Sequence, residues 1–559
     1  WRGGQFMRRR GAGLNFEAKL KEQQYDELWQ EYCGFLELSI QEYMEIQNRL
    51  MLEQMQLWCG SGLGKKLLGG RIPKTVSEFR STLRLTDYAD YADVLLAKDA
   101  AALPAEPIIW IQTTWEGGRH PVKLAPYTRG MLDVCKNNLM SIMILATSSR
   151  KGKFSAQARD RALFGLAPLP YVTGLFPLLI DEEIAMKFLP PPQEAGKMSF
   201  SERNRRGFSL GMKRGIDLFF GLSSVISYIT DNFASVVRKG SAVKLRSLFQ
   251  YSPRMLVRYL RASYRSKRDG TPLRPKDLFS LKAFVCAGTD TRSYKQSLAD
   301  AWGVTPMEIS AGTEPTIIGT ETWKKDGQVF FPDAGFYEFI EEEDMKRNLD
   351  DPSFVPKTYL MDELLEGHCY ELVVTSFKGG AFARYRVGDV YRCVSVGSPE
   401  VGPRLPKLCF VDRVPNVIDI AGFTRITENS IDEIIEMSGL GIENWTACKE
   451  YNDARRPYMH LYVELKNEGV QAQSLSRQVL VEHLSVYFCY FDSDYHDLKK
   501  MLGIEPLVVT ILRTGSFADF EDRTGRPIRR INPCPHDVAE LLRRQREDYA
   551  AQRGGRFGK

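Results

Sequence analysis

Four segments of the chain bring hydroxyls, carboxylates, cations and glycines together at spacings suited to handling a nucleotide. The first runs Trp110-Ile-Gln-Thr113-Thr114-Trp115-Glu116-Gly117-Gly118-Arg119-His-Pro-Val-Lys123-Leu-Ala-Pro126-Tyr-Thr128. Such a loop could wrap phosphates, with backbone N–H groups as donors and Arg119 or Lys123 neutralising charge, although ordinary loops share its composition. The second is a pair, Ala287-Gly288-Thr289-Asp290 and Glu308-Ile-Ser-Ala-Gly312-Thr313-Glu314, each after an apolar run that reads as a strand. A hydroxyl beside a carboxylate at the C-terminal end of a strand can take a phosphate oxygen and its Mg²⁺ together, or it can be a plain turn. In the third, Tyr385-Arg-Val-Gly388-Asp389, an acid after a glycine turn can accept both hydroxyls of a ribose. The fourth joins Asp412-Arg413 to Gly422-Phe-Thr-Arg425-Ile-Thr-Glu428. Either of the last two could be a solvated turn, but all four in this order are a far rarer coincidence than any one alone.

Other nucleotide and hydrolase signatures fail. Gly60-Ser-Gly-Leu-Gly-Lys65 is one residue short of a P-loop and lacks its hydroxyl, no GxGxxG follows a strand, and six scattered histidines come without GxSxG. The ten cysteines (33, 59, 135, 286, 369, 393, 409, 448, 489, 534) form no CxxC pair and no Cys/His cluster at metal-ligand spacing. Scattered thiols without a secretion signal suit a reducing compartment, so a cytoplasmic location is expected. Trp-Arg-Gly-Gly precedes Met7-Arg-Arg-Arg with no apolar core to a leader, and residues 1–6 read as lying upstream of the native start. The 76 Lys and Arg exceed the 70 Asp and Glu by only six, too few to call for nucleic acid. Neither a nucleic-acid partner nor a membrane is expected.

The elements that must position these residues follow from length and periodicity. At 559 residues the chain needs two or more cores. Apolar spacing of three and four from Phe16 to Trp58 predicts one or two amphipathic helices, interrupted at Gly34, that pack on the protein's own core and not as a coiled coil. Leu163–Ile180 nears membrane-spanning length but holds Pro168, Pro170, Gly174 and Pro177, so it reads as buried strand and loop. Leu218–Ile229 reads as a core helix or the wall of an apolar pocket, and Glu202–Lys213 as a polar surface helix or loop. Strands are predicted at Ala283–Cys286, Glu308–Ser310, Gln328–Phe331, Phe336–Ile340 and Tyr370–Thr375. The whole is α/β with mixed α+β elements. A boundary near Asp412 divides a large unit, residues 7–411, from a smaller one, 412–545, with a disordered tail at 546–559. The smaller unit should hold a strand at Leu408–Val411 on its threshold, helices at Ile431–Met437 and Leu475–Tyr487, and strands at His460–Leu465 and Leu507–Leu512.

From about Val76 to Pro533 the chain resembles the auxin-responsive-promoter family of acyl-acid amido synthetases, within the firefly-luciferase-like adenylate-forming enzymes. Besides the four segments, Arg84-Leu-Thr-Asp-Tyr-Ala-Asp-Tyr91, Tyr171-Val-Thr-Gly174, Trp302-Gly-Val-Thr-Pro-Met-Glu308 and Phe336-Tyr-Glu-Phe-Ile340 carry the likeness. The resemblance implies a large adenylate-forming domain of several sheets with flanking helices, closed by a small mobile C-terminal α/β lid. It implies ATP-dependent activation of a carboxylic acid as acyl-adenylate and transfer to an amine, amino acids among the acceptors, with ATP and Mg²⁺ as cofactors. Thr313 would contact the adenylate phosphate, Glu314 hold Mg²⁺, Asp389 bind ribose hydroxyls, Arg413 support the ribose, and Gly288-Thr289 lie beside adenine. Thr113, Thr114, Gly117, Gly118, Gly312 and Lys123 complete the nucleotide site. Two departures stand out. Trp115 and Glu116 replace the hydroxyls of the family's phosphate loop, and the expected C-terminal lysine is absent, since Gly525-Arg526-Pro-Ile-Arg529-Arg530 offers only arginines, Arg529 foremost. They define one alternative, a non-catalytic nucleotide- or acyl-binding protein of the same fold, and thiol transfer to coenzyme A stands as the alternative to the amine acceptor. Leu218–Ile229, with Tyr171, Phe176, Ser223 and Ser224, would form the acid pocket.

Overall fold

The computed structural model of the chain describes residues 15–113, 122–234, 251–289, 291–397, 404–422, 424–453, 455–466, 477–491, 495 and 505–543. β1 (Ile109–Gln112) and β2 (Leu124–Tyr127) pair across the first of the four segments, and β3 (Ser148–Arg150) and β4 (Lys153–Phe154) form a small hairpin. Then come β5 (Arg161–Gly165), β6 (Lys187–Leu189), β7 (Leu218–Leu222), β8 (Ala283–Ala287), β9 (Met307–Gly312) and β10 (Thr316–Glu321). They are followed by β11 (Gln328–Phe330), β12 (Gly335–Glu341), β13 (Cys369–Ser376), β14 (Tyr385–Ser395) and β15 (Lys407–Arg413). From β5 to β15 these form one 11-stranded sheet in the order β12-β13-β14-β15-β11-β10-β9-β8-β7-β5-β6.

That sheet has two halves meeting at β9, which runs parallel to β8 and antiparallel to β10. The parallel half is built from short runs buried along almost their whole length, as strands covered on both faces must be. Its register aligns the strand ends: Gly165 faces Gly221, and Leu222 faces Ala287. The loops after β5, β7, β8 and β9 therefore leave the sheet on one side, the usual place for a ligand in such sheets. Helices Phe200–Arg214 and Ser223–Asp231 belong to this half.

Of the N-terminal helices Phe16–Lys21, Tyr25–Cys33 and Ile40–Gly60, the last lies on the antiparallel half, against β12. A capping box, Ser39 with Glu42, starts the longest one. Their buried amides and indole find backbone acceptors across the interface: Gln47 Nε2 on Pro332 and Gly335 oxygens (2.6 and 2.7 Å), Gln54 Nε2 on Gly380 O (2.9 Å) and Trp58 Nε1 on Ala381 O (2.8 Å). These bonds and the apolar cluster around Met51, Met55 and Trp58 fix the segment to the protein's own core.

After β15 come the hairpin β16 (Val417–Ile420) and β17 (Thr424–Thr427), helix Glu428–Ser438, and a sheet of β18 (Ile442–Tyr451), β19 (Pro457–Leu465) and β20 (Leu507–Leu512). Ile420, Ile434, Trp445, Leu461 and Leu484 make a separate apolar cluster, which also takes in Val225 from the large sheet's side. Arg456 pairs with Asp231 (2.8 Å) and Tyr294 donates to Arg455 O (3.1 Å) across the same junction.

The sequence differs from the structure in instructive places. Leu218–Ile229 is half strand and half helix, split at Leu222/Ser223. Glu202–Lys213 is helical, but Arg203 is buried, donating from Nη2 to Leu166 O (2.7 Å). Leu163–Ile180 is a strand, a turn and helix Phe176–Glu183. Strand β18 had no counterpart in the periodicity. No helix among the described residues is long and apolar enough to cross a membrane. The tail expectation at 546–559 lies outside the described residues.

Candidate functional site

A cavity of about 440 Å³ lies where β5, β7, β8 and β9 end and the faces of β14 and β15 begin. One end is apolar: Leu166, Ala167, Pro168, Val172, Phe176 and Leu222. The other end is ionic and gathers Thr313, Glu314, Asp389, Arg413 and Arg425, with Thr113, Lys123, Gly288, Thr289 and Gly312 also on its walls. Segments far apart in the chain thus converge on one space. Thr114, Gly117 and Gly118, with Trp115, Glu116 and Arg119, lie outside the described residues.

Each ionic-end residue is held by a specific partner. Thr113 and Lys123 bridge β1 and β2: Thr113 N–H donates to Lys123 O (3.0 Å) and Lys123 N–H to Thr113 Oγ1 (3.2 Å). The Lys123 ammonium lies 5.8 Å from the centre of the Tyr88 ring. Tyr127 OH donates to Thr313 O (2.7 Å), Ser376 Oγ to Glu314 O (3.1 Å), and Tyr385 OH to the Glu314 carboxylate (3.0 Å). Gly288 has φ +121°, and a Cβ there would meet Ser223 Oγ at 3.3 Å, so the turn after β8 needs glycine.

Asp389 and Arg413 face each other in register across β14 and β15, 3.2 Å apart as an ion pair. Asp389 Oδ1 accepts no hydrogen bond. Burial raises its pKa above the ordinary carboxylate value against the pull of Arg413 and Arg425. Its counterpart is Asp419, at the centre of the hairpin strand Val417–Ile420 and fully buried. Asp419 accepts from Thr289 Oγ1 (3.0 Å) and Gly422 N–H (2.8 Å) and lies 3.5 Å from Arg413 Nε and 3.6 Å from Arg425 Nε. Burial would raise Asp419, but Lys449, Arg413 and Arg425 outweigh it and hold its pKa below the ordinary value. Lys449, on β18, lies 3.7 Å from Asp412.

Arg529 stands apart from the cavity walls. It pairs with Asp350, and its carbonyl accepts from Thr446 Oγ1 (2.7 Å). Sequence reasoning passed over Asp419, Lys449 and the Tyr385 hydroxyl. The one signal available was a lone carboxylate in the apolar run Val-Ile-Asp-Ile, since a buried acid needs partners. No group of three or more His, Cys, Asp and Glu suited to a metal ion occurs among the described residues.

Residues 328–413, which include Asp389 and Arg413, match the GH3 family central domain. Over 198 residues the chain is 38% identical to the indole-3-acetic acid-amido synthetase GH3.15 of Arabidopsis thaliana, an alignment covering 34% of this chain and 32% of that protein. The match thus spans about a third of that curated relative. Among solved structures, the acyl acid amido synthetase AtGH3.15 in complex with 2,4-DB is similar over 96% of this chain and 97% of that one (TM-score 0.50, 16% identity). A 2-hydroxyisobutyryl-CoA ligase in complex with 2-HIB-AMP and CoA is similar over 92% and 93% (TM-score 0.56, 15% identity). The fold is similar to that of these two enzymes, and the family resemblance read from the sequence is borne out by the match over residues 328–413.

Proposed function

We propose that this protein is an ATP-dependent ligase that activates a carboxylic acid as its acyl-adenylate and passes the acyl group to an amine. The observation that carries this reading is a single cavity with an apolar end and an ionic end. An organic acid with its body at the first and a nucleotide with its phosphates at the second meet where carboxylate and α-phosphate must react.

This chain's residues suit both partners. Asp389 lies on the cavity wall with part of its side chain exposed, so its carboxylate suits ribose hydroxyls, and Arg413, paired with Oδ1, keeps that carboxylate in place. Glu314 is the carboxylate suited to Mg²⁺, an ion that commonly takes one or two carboxylates together with substrate phosphates. When bound, Mg²⁺ would offset the repulsion between carboxylate and polyphosphate. Tyr385 orients Glu314 through its hydroxyl, and Lys123 adds a cation at the cavity wall. In the first half-reaction an acid oxygen bonds to the α-phosphorus while the bond to pyrophosphate breaks. In the second the amine nitrogen bonds to the acyl carbon, AMP leaves with the C–O electron pair, and the nitrogen loses a proton. The resemblance to amido synthetases favours an amine acceptor, amino acids being the first class to try.

Acid-dependent exchange of labelled pyrophosphate into ATP tests the first half, and mass analysis of products with an amino-acid panel tests the second. Exchange with at least one acid and an amide product are expected. Tight ATP binding with no exchange across a broad panel would overturn the ligase reading, and a thioester with coenzyme A in place of any amide would overturn the choice of acceptor.

A further inference from the structure

Helix Pro253–Asp269 carries Arg254, Arg258, Arg261, Arg265, Lys267 and Arg268 against the single acid Asp269, a surplus of five on one element of a chain whose whole surplus is six. It is anchored by Met255 and Ala262, both buried, in the apolar cluster around Phe219 and Trp302. Its outward face holds three exposed apolar side chains, Val257 (46%), Leu260 (56%) and Tyr264 (68%). At about 100° per residue these three share one arc, and Arg268, Arg261, Arg254 and Arg265 fill the arc beside it. An apolar stripe therefore runs alongside an arginine stripe along the helix.

We infer that this helix is a docking surface for an acidic amphipathic helix of a partner protein. A helix pairing with it would lay its own apolar stripe on Val257, Leu260 and Tyr264 and its carboxylates on the arginines, whose planar forks bind carboxylates in pairs. Exposed Tyr and Arg are also the side chains that most often carry protein–protein affinity. Cations border the apolar stripe on both sides, Lys267 lying one heptad after Leu260, and their closeness to the stripe argues against a lipid surface. An interfacial helix keeps its cations above the apolar face, whereas here Arg268 and Arg261 share the outward arc with Val257, so burying the apolar stripe in lipid would drag guanidinium groups down with it. The position suits a partner concerned with substrate or product. The helix packs beside Phe200–Arg214, whose N-cap, Ser199, lines the cavity.

The test uses the full chain and a fluorescein-labelled synthetic helix bearing Leu and Glu stripes at the same spacing. Expected are saturable, salt-sensitive binding, a loss of at least about tenfold in both Leu260→Ser/Tyr264→Ser and Arg261→Glu/Arg265→Glu, and recovery of the second variant by a probe with Lys in place of Glu. Melting temperature and pyrophosphate exchange should stay at parental values in both variants. Binding that ignores the apolar pair, equal binding of a sequence-scrambled probe, or preferential sedimentation with phosphatidylglycerol vesicles would overturn the inference. So would concentration-dependent self-association abolished by Arg261→Glu/Arg265→Glu, because the occupant would then be a second copy of this chain.

Discussion

The two ends of the cavity are built on opposite plans. The apolar end is largely local: Leu166, Ala167, Pro168, Val172 and Phe176 come from one stretch after β5, with Leu222 added from β7. The ionic end is assembled from strands of both halves of the sheet and from the hairpin beyond it, and its pieces are tied by charge: Asp389 to Arg413, Arg413 and Arg425 to Asp419, Thr289 to Asp419. A locally built wall can change one side chain at a time. A charge network cannot, because each member sets the state of the next. Changes at the ionic end should therefore alter how the nucleotide is handled, and changes at the apolar end only which acid is accepted.

The sharpest break in that comparison is charge removal at the ionic end. Glu314→Gln should lower acid-dependent exchange by about 10²–10³, the usual cost of losing one group aimed at reacting charge, and Asp389→Asn, which loses the ribose contact, should lower it through a higher KM for ATP. Their stability should not fall. Asp389 is held with its pKa raised, so its charged form is the strained one in the fold, and Asn should leave the melting temperature level or higher. Exchange and melting curves on the same preparations check this. A fall in both together would give Asp389 a structural role and not a nucleotide-binding one.

Asp419→Asn should behave the other way. It removes a buried carboxylate that stands between two guanidinium groups, a change that typically costs about 3–5 kcal/mol. Unfolding in urea should show that loss, and exchange should fall about tenfold through a higher KM for ATP, because Arg413 loses one of the two carboxylates that aim it. The pH dependence separates the two acids further. The stability supplied by Asp419, whose pKa is lowered, is present at neutral pH and is lost as pH falls through its folded value. Asp389, whose pKa is raised, favours its protonated form in the fold, and ATP affinity should weaken as pH falls through a value above the ordinary carboxylate range. In a titration of ATP affinity, Asp389→Asn should flatten that limb.

This contrast also explains what could be read from sequence. Strand β20 falls at Leu507–Leu512 as the apolar run predicts, and β8, β9, β12 and β13 lie within two residues of their predicted bounds. Those strands are marked by their own apolar runs. Strand β18 is not, because Asn444, Lys449 and Glu450 interrupt its alternation. Two of them have partners outside their own strand: Glu450 accepts from Tyr458, Tyr462 and His460 on the neighbouring β19, and Lys449 lies by Asp412. The ionic end divides in the same way. Thr313, Glu314 and Asp389 follow glycine turns at strand ends or bends, a local signature, whereas Asp419 is recognisable only once Arg413, Arg425 and Thr289 are folded around it. Arg529 shows the limit of family reasoning, since a position in sequence did not say that its guanidinium would meet Asp350.

The apolar end offers the smallest and most selective change. The notion that Leu218–Ile229 supplies the acid pocket survives only at Leu222. Ser223 Oγ accepts from Thr291 Oγ1 (3.0 Å) and Ser224 Oγ donates to Ala421 O (3.2 Å), so both hydroxyls are committed to structure and neither residue lines the cavity. Val172 does line it, from a single turn of 3₁₀-helix between Tyr171 and Phe176. Val172→Ile adds one methylene to the wall, and a methylene in an apolar pocket is worth about 1 kcal/mol at the low end, or roughly fivefold in kcat/KM. Bulkier acids should lose that much relative to the smallest substrate while KM for ATP stays at the parental value. Ser223→Ala should leave the ranking of acids untouched and cost only the stability of one buried hydrogen bond, about 1 kcal/mol. A change in acid ranking from Ser223→Ala together with none from Val172→Ile would relocate the acid to the far side of β7 and dissolve the division between the two ends.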